Sequence, residues 1–230
     1  MIDAVPSRDG MTDEHREFWS TVARKYDRVV DLQIGSGTRS MVRERLGKEG
    51  DLGSVVELGC GSGFFTSVLA GKSADVVATD ISPGMLALAK ETIAAANVTF
   101  QVEDCQKTSF PDGVFETAFM SLVIHFAEPE TALAEMRRIL KPGGTLIIAN
   151  LDPAALNGLD RLRCMVRILY RGVTGYRVKP PRGFGKNVMS RSQLCELVGK
   201  AGFRVVGAET IQEPSRSSNI PVDYVTAARV

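Results

Sequence analysis

Three glycines in alternation, Gly59, Gly61 and Gly63, separate a short apolar run from the start of an apolar helical pattern. The run at residues 55–58 is typical of a buried strand, and the pattern at 64–70 opens a helix. Glycine allows the backbone to pass close to a ligand, and the first turn of a helix presents free N–H groups to it. This unit therefore predicts a ligand-binding loop between a strand and a helix.

Strand and helix patterns alternate along most of the chain. Alternation of this kind implies a parallel sheet with helices on both of its faces. Ser82 can cap one helix ahead of Pro83 in its first turn. The other predicted helices cover residues 12–30, 40–46, 64–70, 130–140 and 192–201. The predicted strands lie at residues 55–58, 76–79, 98–102, within 114–124, and at 145–149, 203–208 and 223–228.

The size and composition of the chain are those of an ordinary globular protein. Its 230 residues fit one α/β domain, and 44% hydrophobic with 24% charged residues is a usual balance. We see no signal peptide and no apolar run long enough to cross a membrane. The cysteines Cys60, Cys105, Cys164 and Cys195 stand far apart without metal-ligand spacing, which suits a reducing compartment. We therefore expect a cytoplasmic protein without a metal site.

Acidic residues follow the second and third predicted strands, at the sheet edge where open α/β folds bind their ligands. Asp80 ends the second strand, and a carboxylate there can accept both hydroxyls of a ribose. Asp104 follows the third strand, beside Glu103, and a carboxylate there can accept the exocyclic amine of an adenine. The segment 121–126, which contains His125, follows the fourth strand. Together these positions indicate a nucleoside-binding site.

The same stretches carry a family resemblance. They are VVELGCGSGFFT, VVATDISPGMLALA, VTFQVEDCQKTSFPDGVFE, FMSLVIHF, EMRRILKPGGTLIIAN and SRSQLCELVGKAGF. The chain resembles the class I, seven-strand S-adenosylmethionine-dependent methyltransferases, especially the group that includes ubiquinone and menaquinone biosynthesis enzymes. The resemblance covers about residues 20–230, with a gap in a basic segment.

This resemblance implies a Rossmann-like, doubly wound α/β fold with seven strands, mostly parallel with a terminal antiparallel strand. It implies one methyltransferase domain over residues 1–230 that uses S-adenosylmethionine to methylate a small-molecule acceptor. The expected parts are a helical lid at 1–46, a cofactor-binding core at 47–150, a basic cap insertion at 151–191, and a carboxyl-terminal helix and β-hairpin at 192–230.

The resemblance also implies roles for individual residues around the cofactor. Gly59, Gly61 and Gly63, with Cys60 between them, would surround its methionine part, and Glu57 would order that loop. The remaining expected contacts are Asp80 at the ribose, Ile81 and Met85 near the adenine, Asp104 and Cys105 at the adenine edge, Ser121 at the floor, and Tyr26 as a lid tyrosine over the sulfonium.

A nicotinamide-binding protein is the nearest alternative for a glycine loop after a strand. Its fingerprint is G-x-G-x-x-G, whereas the spacing here is G-x-G-x-G, with Glu57 before it and Phe64 after it. The last two strand patterns also suit a β-hairpin at the sheet edge, which resembles methyltransferases more than dehydrogenases. The spacing therefore favours S-adenosylmethionine over a nicotinamide cofactor.

A general base is needed only if the methyl acceptor arrives protonated. His125 is the first candidate because it follows the fourth strand and an imidazole titrates near neutral pH. A hydrogen-bonded wall residue is the equally simple interpretation of His125. Tyr26 and His15, on the amino-terminal helices, are weaker candidates.

Residues 151–191 carry nine basic and two acidic residues, whereas the whole chain has a net charge of only +1. Within this segment Leu162, Met165, Val166 and Leu169 share one helical face, with arginines beside it. Three roles stay open for residues 159–186: contact with an anionic membrane, a clamp on an anionic or apolar acceptor, or a solvated cap whose apolar stripe packs on the domain. Nucleic acid is not expected, because aromatic residues are not interleaved with the charge. The sequence leaves the oligomeric state open.

Two further functions compete with small-molecule methylation. One is a scaffold or sensor that binds S-adenosylmethionine without catalysis; the intact glycine loop and acidic residues argue against it. The other is arsenite methylation, which needs several cysteines converging on one pocket. The wide spacing of the four cysteines argues against that chemistry.

Overall fold

A computed structural model describes residues 13–164, 166, 186–214 and 219–230 of the chain. Its strands are β1 Ser54–Leu58, β2 Asp75–Asp80, β3 Val98–Val102, β4 Phe115–Ser121, β5 Leu140–Leu151, β6 Phe203–Ile211 and β7 Val222–Arg229. Its helices are α1 Asp13–Val22, α2 Tyr26–Ile34, α3 Ser36–Gly47, α4 Thr66–Ala70, α5 Pro83–Thr92, α6 Pro129–Ile139, α7 at residues 158–164, and α8 Arg191–Lys200. Short 3₁₀ turns occupy Ala23–Lys25, Ile124–Phe126 and Pro153–Ala155.

The strands form one seven-stranded sheet in the order β3-β2-β1-β4-β5-β7-β6. Strands β1 to β5 run parallel, and β7 pairs antiparallel with both β5 and β6. The prediction of a mostly parallel sheet whose last strand is antiparallel is therefore confirmed. The order reverses between β1 and β4, which places a crevice at their carboxyl ends.

Helices cover both faces of the sheet, as a parallel sheet with apolar side chains on each face requires. On one face Val56 and Met120 pack with residues of α6 and α8, such as Met136. On the other face Val55 and Phe119 pack with residues of α2, α3 and α4. Alternate residues of one strand thus enter different cores, and strand register fixes which side chains reach the crevice.

The amino-terminal region differs in detail from its predicted form. A single helix was expected over residues 12–30, but a 3₁₀ turn at Ala23–Lys25 separates α1 from α2. A break was expected over Gly35, Ser36 and Gly37, but it is confined to Gly35, and α3 begins at Ser36 rather than at residue 40. Gly35 has a φ of +83°, and a Cβ on it would lie 2.2 Å from the Nδ2 atom of Asn219. Only glycine fits at that bend.

Much of the expected basic cap lies outside the described residues, namely 165 and 167–185, including Met165 and Leu169. Within the described part of the chain, no helix combines the length and the apolar character needed to span a bilayer.

Candidate active site

The glycine loop between β1 and α4 requires glycine at two of its positions. The amides of Gly59 and Cys60 both donate to the carbonyl oxygen of Thr79, at 2.8 and 2.7 Å, which fastens the loop to the end of β2. Gly59 has a φ of +79°, and a Cβ there would lie 2.4 Å from a methyl carbon of Val123. Gly61 has a φ of +55°, and its Cβ would lie 3.1 Å from the ring of Tyr26. The loop therefore brings bare backbone against β4 and against the amino-terminal helices.

Glu57 lies beneath this loop as a buried structural carboxyl group. Its Oε2 atom accepts a hydrogen bond from the Thr66 hydroxyl at 2.5 Å, which joins the end of β1 to the start of α4. Burial raises the pKa of Glu57 to about 7, and the bond from Thr66 opposes this rise. The contact holds the two ends of the glycine loop together.

Asp80 ends β2 with its carboxylate turned toward the glycine loop. Oδ2 accepts from the amide of Gly61 at 3.0 Å, and Oδ1 accepts from the amide of Ser82 at 2.9 Å. Burial raises the pKa of Asp80 to about 6, against the lowering effect of these backbone donors. Each carboxylate oxygen keeps a further acceptor position, because an ionised carboxylate has about four lone-pair sites.

A cavity of about 40 Å³ opens above the ends of β1, β2 and β4. Seven of the predicted site residues line it: Tyr26, Gly59, Gly61, Asp80, Ile81, Met85 and Cys105. Five residues that the sequence did not single out as cofactor contacts line it too: Trp19, Glu103, Leu122, Val123 and Phe126. The predicted site residues Glu57, Cys60, Gly63, Asp104 and Ser121 do not belong to its wall.

At the end of β3 it is Glu103, rather than its neighbour Asp104, that lies in the cavity wall. Glu103 is buried, and its Oε2 atom accepts from the amide of Ser109 at 2.9 Å. Asp104 is half-buried and accepts from the amide of Gln106 at 2.9 Å. The two carboxylates point in different directions, as adjacent residues of an extended chain do. Because side chains alternate along an extended chain, only one of the two carboxylates can enter the cavity wall, and in this structure it is Glu103.

Leu122 is the one residue other than glycine that has a positive φ, 59°, in the described chain. It follows β4 directly, and its amide donates to the carbonyl oxygen of Ala149 at 2.8 Å. A leucine in this region costs roughly 1–3 kcal/mol, and such strain is often found at functional sites. Its side chain lines the cavity and joins the apolar core on one face of the sheet. Nothing in the sequence pattern indicates this conformation.

Aromatic rings from the amino-terminal helices cover the cavity. The ring centroid of Trp19 lies 5.0 Å from that of Phe126 and 5.8 Å from that of Tyr26, both in edge-to-face geometry. The Tyr26 ring stands over Gly61. Helices α1 and α2 therefore form an apolar roof above the glycine loop.

His125 lies in the 3₁₀ turn after β4, and it does not line the cavity. It is buried, and its Nδ1 atom has no hydrogen-bond partner among the described residues. Burial lowers the pKa of His125 to about 4, so the ring is neutral at physiological pH. Its centroid is 3.9 Å from that of Phe126, which does line the cavity. His15 lies on α1, and burial lowers its pKa too.

The described residues contain no group of three or more histidine, cysteine or acidic side chains arranged to hold a metal ion. Cys60, Cys105 and Cys164 are buried free thiols, and Cys195 is a half-buried free thiol. Burial raises the pKa of the Cys60 and Cys105 thiols, which keeps them protonated.

Comparison with known proteins finds a partial family match and a similar fold. Residues 56–148 match the model of a family described as a methyltransferase domain. The fold is similar to the crystal structure of a SAM-dependent methyltransferase from Aquifex aeolicus, with a TM-score of 0.63, 20% identity, and 92% and 98% of the two chains covered. Residues 56–148 are thus similar to a methyltransferase domain, and the seven-stranded fold is similar to that of the Aquifex aeolicus enzyme.

Two curated relatives are similar to the chain over part of their length. The chain is 31% identical over 142 residues to the ubiquinone/menaquinone biosynthesis C-methyltransferase UbiE of Stutzerimonas stutzeri, over 57% of this chain and 56% of that protein. It is 30% identical over 142 residues to the malonyl-[acyl-carrier protein] O-methyltransferase of Serratia marcescens, over 61% and 54% of the two chains. The match spans little more than half the length of each of these relatives.

The solved structure of similar fold is described as SAM-dependent, and the residues of this cavity would fit S-adenosylmethionine. The absence of a Cβ at Gly61 leaves backbone open beneath Tyr26, where a side chain would fill the space. Asp80 and Glu103 put two buried carboxylates in the wall, which suit hydroxyl and amine donors. The rest of the wall is largely apolar, as an adenine ring requires.

Proposed function

We propose that this protein transfers the methyl group of S-adenosylmethionine to a small-molecule acceptor. The observation that carries the proposal is the convergence of the glycine loop, Asp80 and Glu103 on one cavity at the switch point of the sheet. The fold and the match of residues 56–148 to a methyltransferase domain support it.

In this proposal the cofactor supplies a methyl carbon that its sulfonium already activates for in-line displacement. The protein then has to bind, align and exclude water. Asp80 accepts the ribose hydroxyls, Glu103 accepts the adenine amine, and the backbone at Gly61 accommodates the methionine part. Trp19 and Tyr26 shield the reacting end from solvent.

The acceptor is proposed to be lipid-like or aromatic, such as a quinol or a phenol. The support is the apolar character of the cavity beside Trp19, Leu122 and Phe126. One relative is named for ubiquinone/menaquinone biosynthesis and the other for malonyl-[acyl-carrier protein], so the relatives differ in acceptor. An acidic acceptor hydroxyl is favoured because His125, with a pKa of about 4, is a weak base at neutral pH. Tyr26, which lines the cavity, is proposed to lie near the reacting atoms.

Calorimetry with S-adenosylhomocysteine, followed by transfer of labelled methyl to a panel of phenols, quinols and acyl esters, tests this function. Binding together with transfer to at least one acceptor is the expected result. Binding without transfer to any acceptor would favour a scaffold or sensor protein instead.

Asp80→Asn should weaken binding by about 1–3 kcal/mol through loss of charge-assisted hydrogen bonds. Unchanged affinity would contradict the role of Asp80.

We also propose that α7 touches an anionic membrane surface. Leu159 and Leu162 lie on one face of this helix, Val166 continues their spacing just beyond it, and the three side chains are 57–59% exposed. Arg163 lies beside them, with its side chain 61% exposed, in a segment with nine basic and two acidic residues. Exposed apolar side chains flanked by arginines fit a surface that is apolar inside and negatively charged outside.

Vesicle co-sedimentation tests this contact. Binding to phosphatidylglycerol vesicles should decrease as salt rises and should fall further in Leu162→Asp. The matched control is Val206→Asp, because Val206 is 63% exposed on β6, outside this helix. Equal loss in both variants, or absence of binding in the wild type, would refute the membrane contact and leave α7 as a solvated cap.

A cytoplasmic location is proposed as well, supported by the four free thiols.

A further inference from the structure

A buried arginine joins the amino-terminal helices to the core. Arg39 in α3 is 4% exposed, and its Nη2 atom lies 2.5 Å from Oδ1 of Asp27 in α2. Its Nη1 atom lies 3.4 Å from Oδ1 of Asp31. The guanidinium carbon stands 3.7 Å above the ring centroid of Phe64, next to the glycine loop. A guanidinium removed from water requires such partners, so this arrangement fixes α2 against α3.

The carboxylate of Asp27 extends this linkage to the glycine loop. The Oδ1 atom that meets Arg39 also accepts a hydrogen bond from the Ser62 hydroxyl, at 2.7 Å. Ser62 is buried and lies between Gly61 and Gly63. A single carboxylate oxygen therefore ties together α2, α3 and the loop.

Tyr26 is the direct neighbour of Asp27 at the start of α2. Its ring stands over Gly61 and lines the cavity, so the position of Asp27 determines how the ring meets the loop. A ligand at the Gly61 backbone would therefore contact this ring. The first turn of α2 thus carries both the cover of the cavity and the contact that fastens it.

We propose that Arg39, Asp27 and Ser62 form a latch that holds Tyr26 over the glycine loop and sets how fast cofactor and product exchange. They are positioning residues, because none of the three lines the cavity. The inference rests on the proposed function, since it assumes that the cavity binds the cofactor. It adds that dissociation is controlled from outside the cavity, by the contact between α2 and the loop.

Ser62→Ala is the cleanest test, because it removes the bond to the loop and leaves the ion pair of Arg39 and Asp27 intact. Arg39→Met is less informative, since it leaves two carboxylates without their cation and destabilises the packing of α3. Ser62→Thr keeps a hydroxyl at the same position and is the rescue variant. Arg43→Met is the matched control: Arg43 is an exposed arginine of α3 that lies 5.3 Å from the same Phe64 ring and bonds Ser67.

Trp19 is the only tryptophan of the chain, and it is a buried part of the cavity wall near Tyr26. Its fluorescence can therefore follow two properties of the roof. Stopped-flow displacement of S-adenosylhomocysteine measures the rate of dissociation, and acrylamide quenching of the ligand-free protein measures the access of solvent to Trp19. In Ser62→Ala we expect dissociation to accelerate about tenfold, the factor for one lost hydrogen bond to a charged group. Quenching of Trp19 should increase as well, while Ser62→Thr and Arg43→Met stay close to the wild type.

Unchanged dissociation and unchanged quenching in Ser62→Ala, with the same circular dichroism as the wild type, would overturn the latch. An equal acceleration in Arg43→Met would do so too, because it would indicate general loosening of α3. Failure of the wild type to bind S-adenosylhomocysteine would instead refute the proposed function, and with it the role of the latch in exchange. The quenching of the ligand-free protein would still show whether Ser62 holds the roof closed.

Discussion

Burial alters the acid–base behaviour of the carboxyl groups beneath the glycine loop. Glu57 and Asp80 lie at the ends of β1 and β2, and their hydrogen-bond donors in the structure are a hydroxyl and backbone amides rather than cations. Burial therefore raises their pKa values, to about 7 for Glu57 and about 6 for Asp80. Both carboxyl groups therefore change their protonation state near neutral pH, so we expect the loop that they support to be sensitive to pH.

Stability should fall as the pH rises through this range. The pKa of Glu57 in the folded protein, about 7, is above its ordinary 4.5, so the folded state holds the proton more tightly. The resulting stabilisation is complete below pH 4.5 and is lost as the pH approaches 7. In urea unfolding across this range, the free energy of unfolding should decline less in Glu57→Gln than in the wild type. The difference should reach up to about 3 kcal/mol, since one pKa unit corresponds to about 1.4 kcal/mol. Parallel profiles for the two proteins would show that Glu57 is not the titrating group.

Two adjacent carboxylates after β3 give a direct comparison. Glu103 lies in the cavity wall, whereas Asp104 was the residue expected from the resemblance to meet the adenine. Glu103→Gln should weaken binding of S-adenosylhomocysteine by about 1–3 kcal/mol, through loss of a charged acceptor for the adenine amine. Asp104→Asn should change the affinity much less. Calorimetry on both variants measures the difference, and the reverse ranking would return the role to Asp104.

Helix α8 begins with a reciprocal cap that its sequence encodes. The Ser190 hydroxyl accepts from the amide of Gln193, whose side chain in turn accepts from the amide of Ser190. Ser190→Ala should lower the free energy of unfolding by about 1 kcal/mol. Urea titration measures this loss. Affinity for S-adenosylhomocysteine should stay unchanged because α8 does not line the cavity. Glu196→Ala, an exposed position later in α8, is the control, and an equal loss there would contradict the cap.

Elements were predictable where local signals agreed. Ser82 caps α5 through the amide of Met85, with Pro83 in the first turn, as the sequence indicated. Strand positions were predictable because short apolar runs between turns have few alternatives in a parallel sheet. The 3₁₀ turn at Ala23–Lys25 was not predictable, because the apolar stripe continues through it without a glycine or proline. Packing of α1 and α2 on the crevice decides that break.

The residues of the candidate site also fall into those that the sequence could predict and those that depend on tertiary packing. Asp80 and Gly61 were identifiable because parallel strands bring their carboxyl ends together, so sequence order alone places these residues at one edge. Trp19 and Phe126 come from distant segments whose meeting depends on tertiary packing. The positive φ of Leu122 likewise follows from how β4 enters the crevice, and a leucine gives no warning of it.

At the scale of the whole molecule, helix α1 is attached to the rest of the protein through a small apolar cluster, whereas α2 and α3 also pack in the large core. Phe18, Trp19 and Val22 of α1 pack in the small cluster against Ile81 and Met85, which themselves line or border the cavity. The opposite half of the molecule is held by long ladders between β5, β7 and β6. A ligand in the cavity therefore bridges the less firmly attached part and the sheet, so its binding should order the two halves unequally.

Hydrogen exchange should reveal this asymmetry. At about 100 times its dissociation constant, S-adenosylhomocysteine stabilises the folded state by roughly 2.7 kcal/mol. We expect the slowing of amide exchange to concentrate in α1, α2 and the glycine loop, because they open locally without the rest of the sheet. Amides of β6 and β7 should change little. Asp80→Asn at the same ligand concentration is the control and should show weaker protection throughout. Uniform protection of both halves would mean that α1 and α2 unfold only with the whole domain, and that the roof over the cavity is not an independent unit.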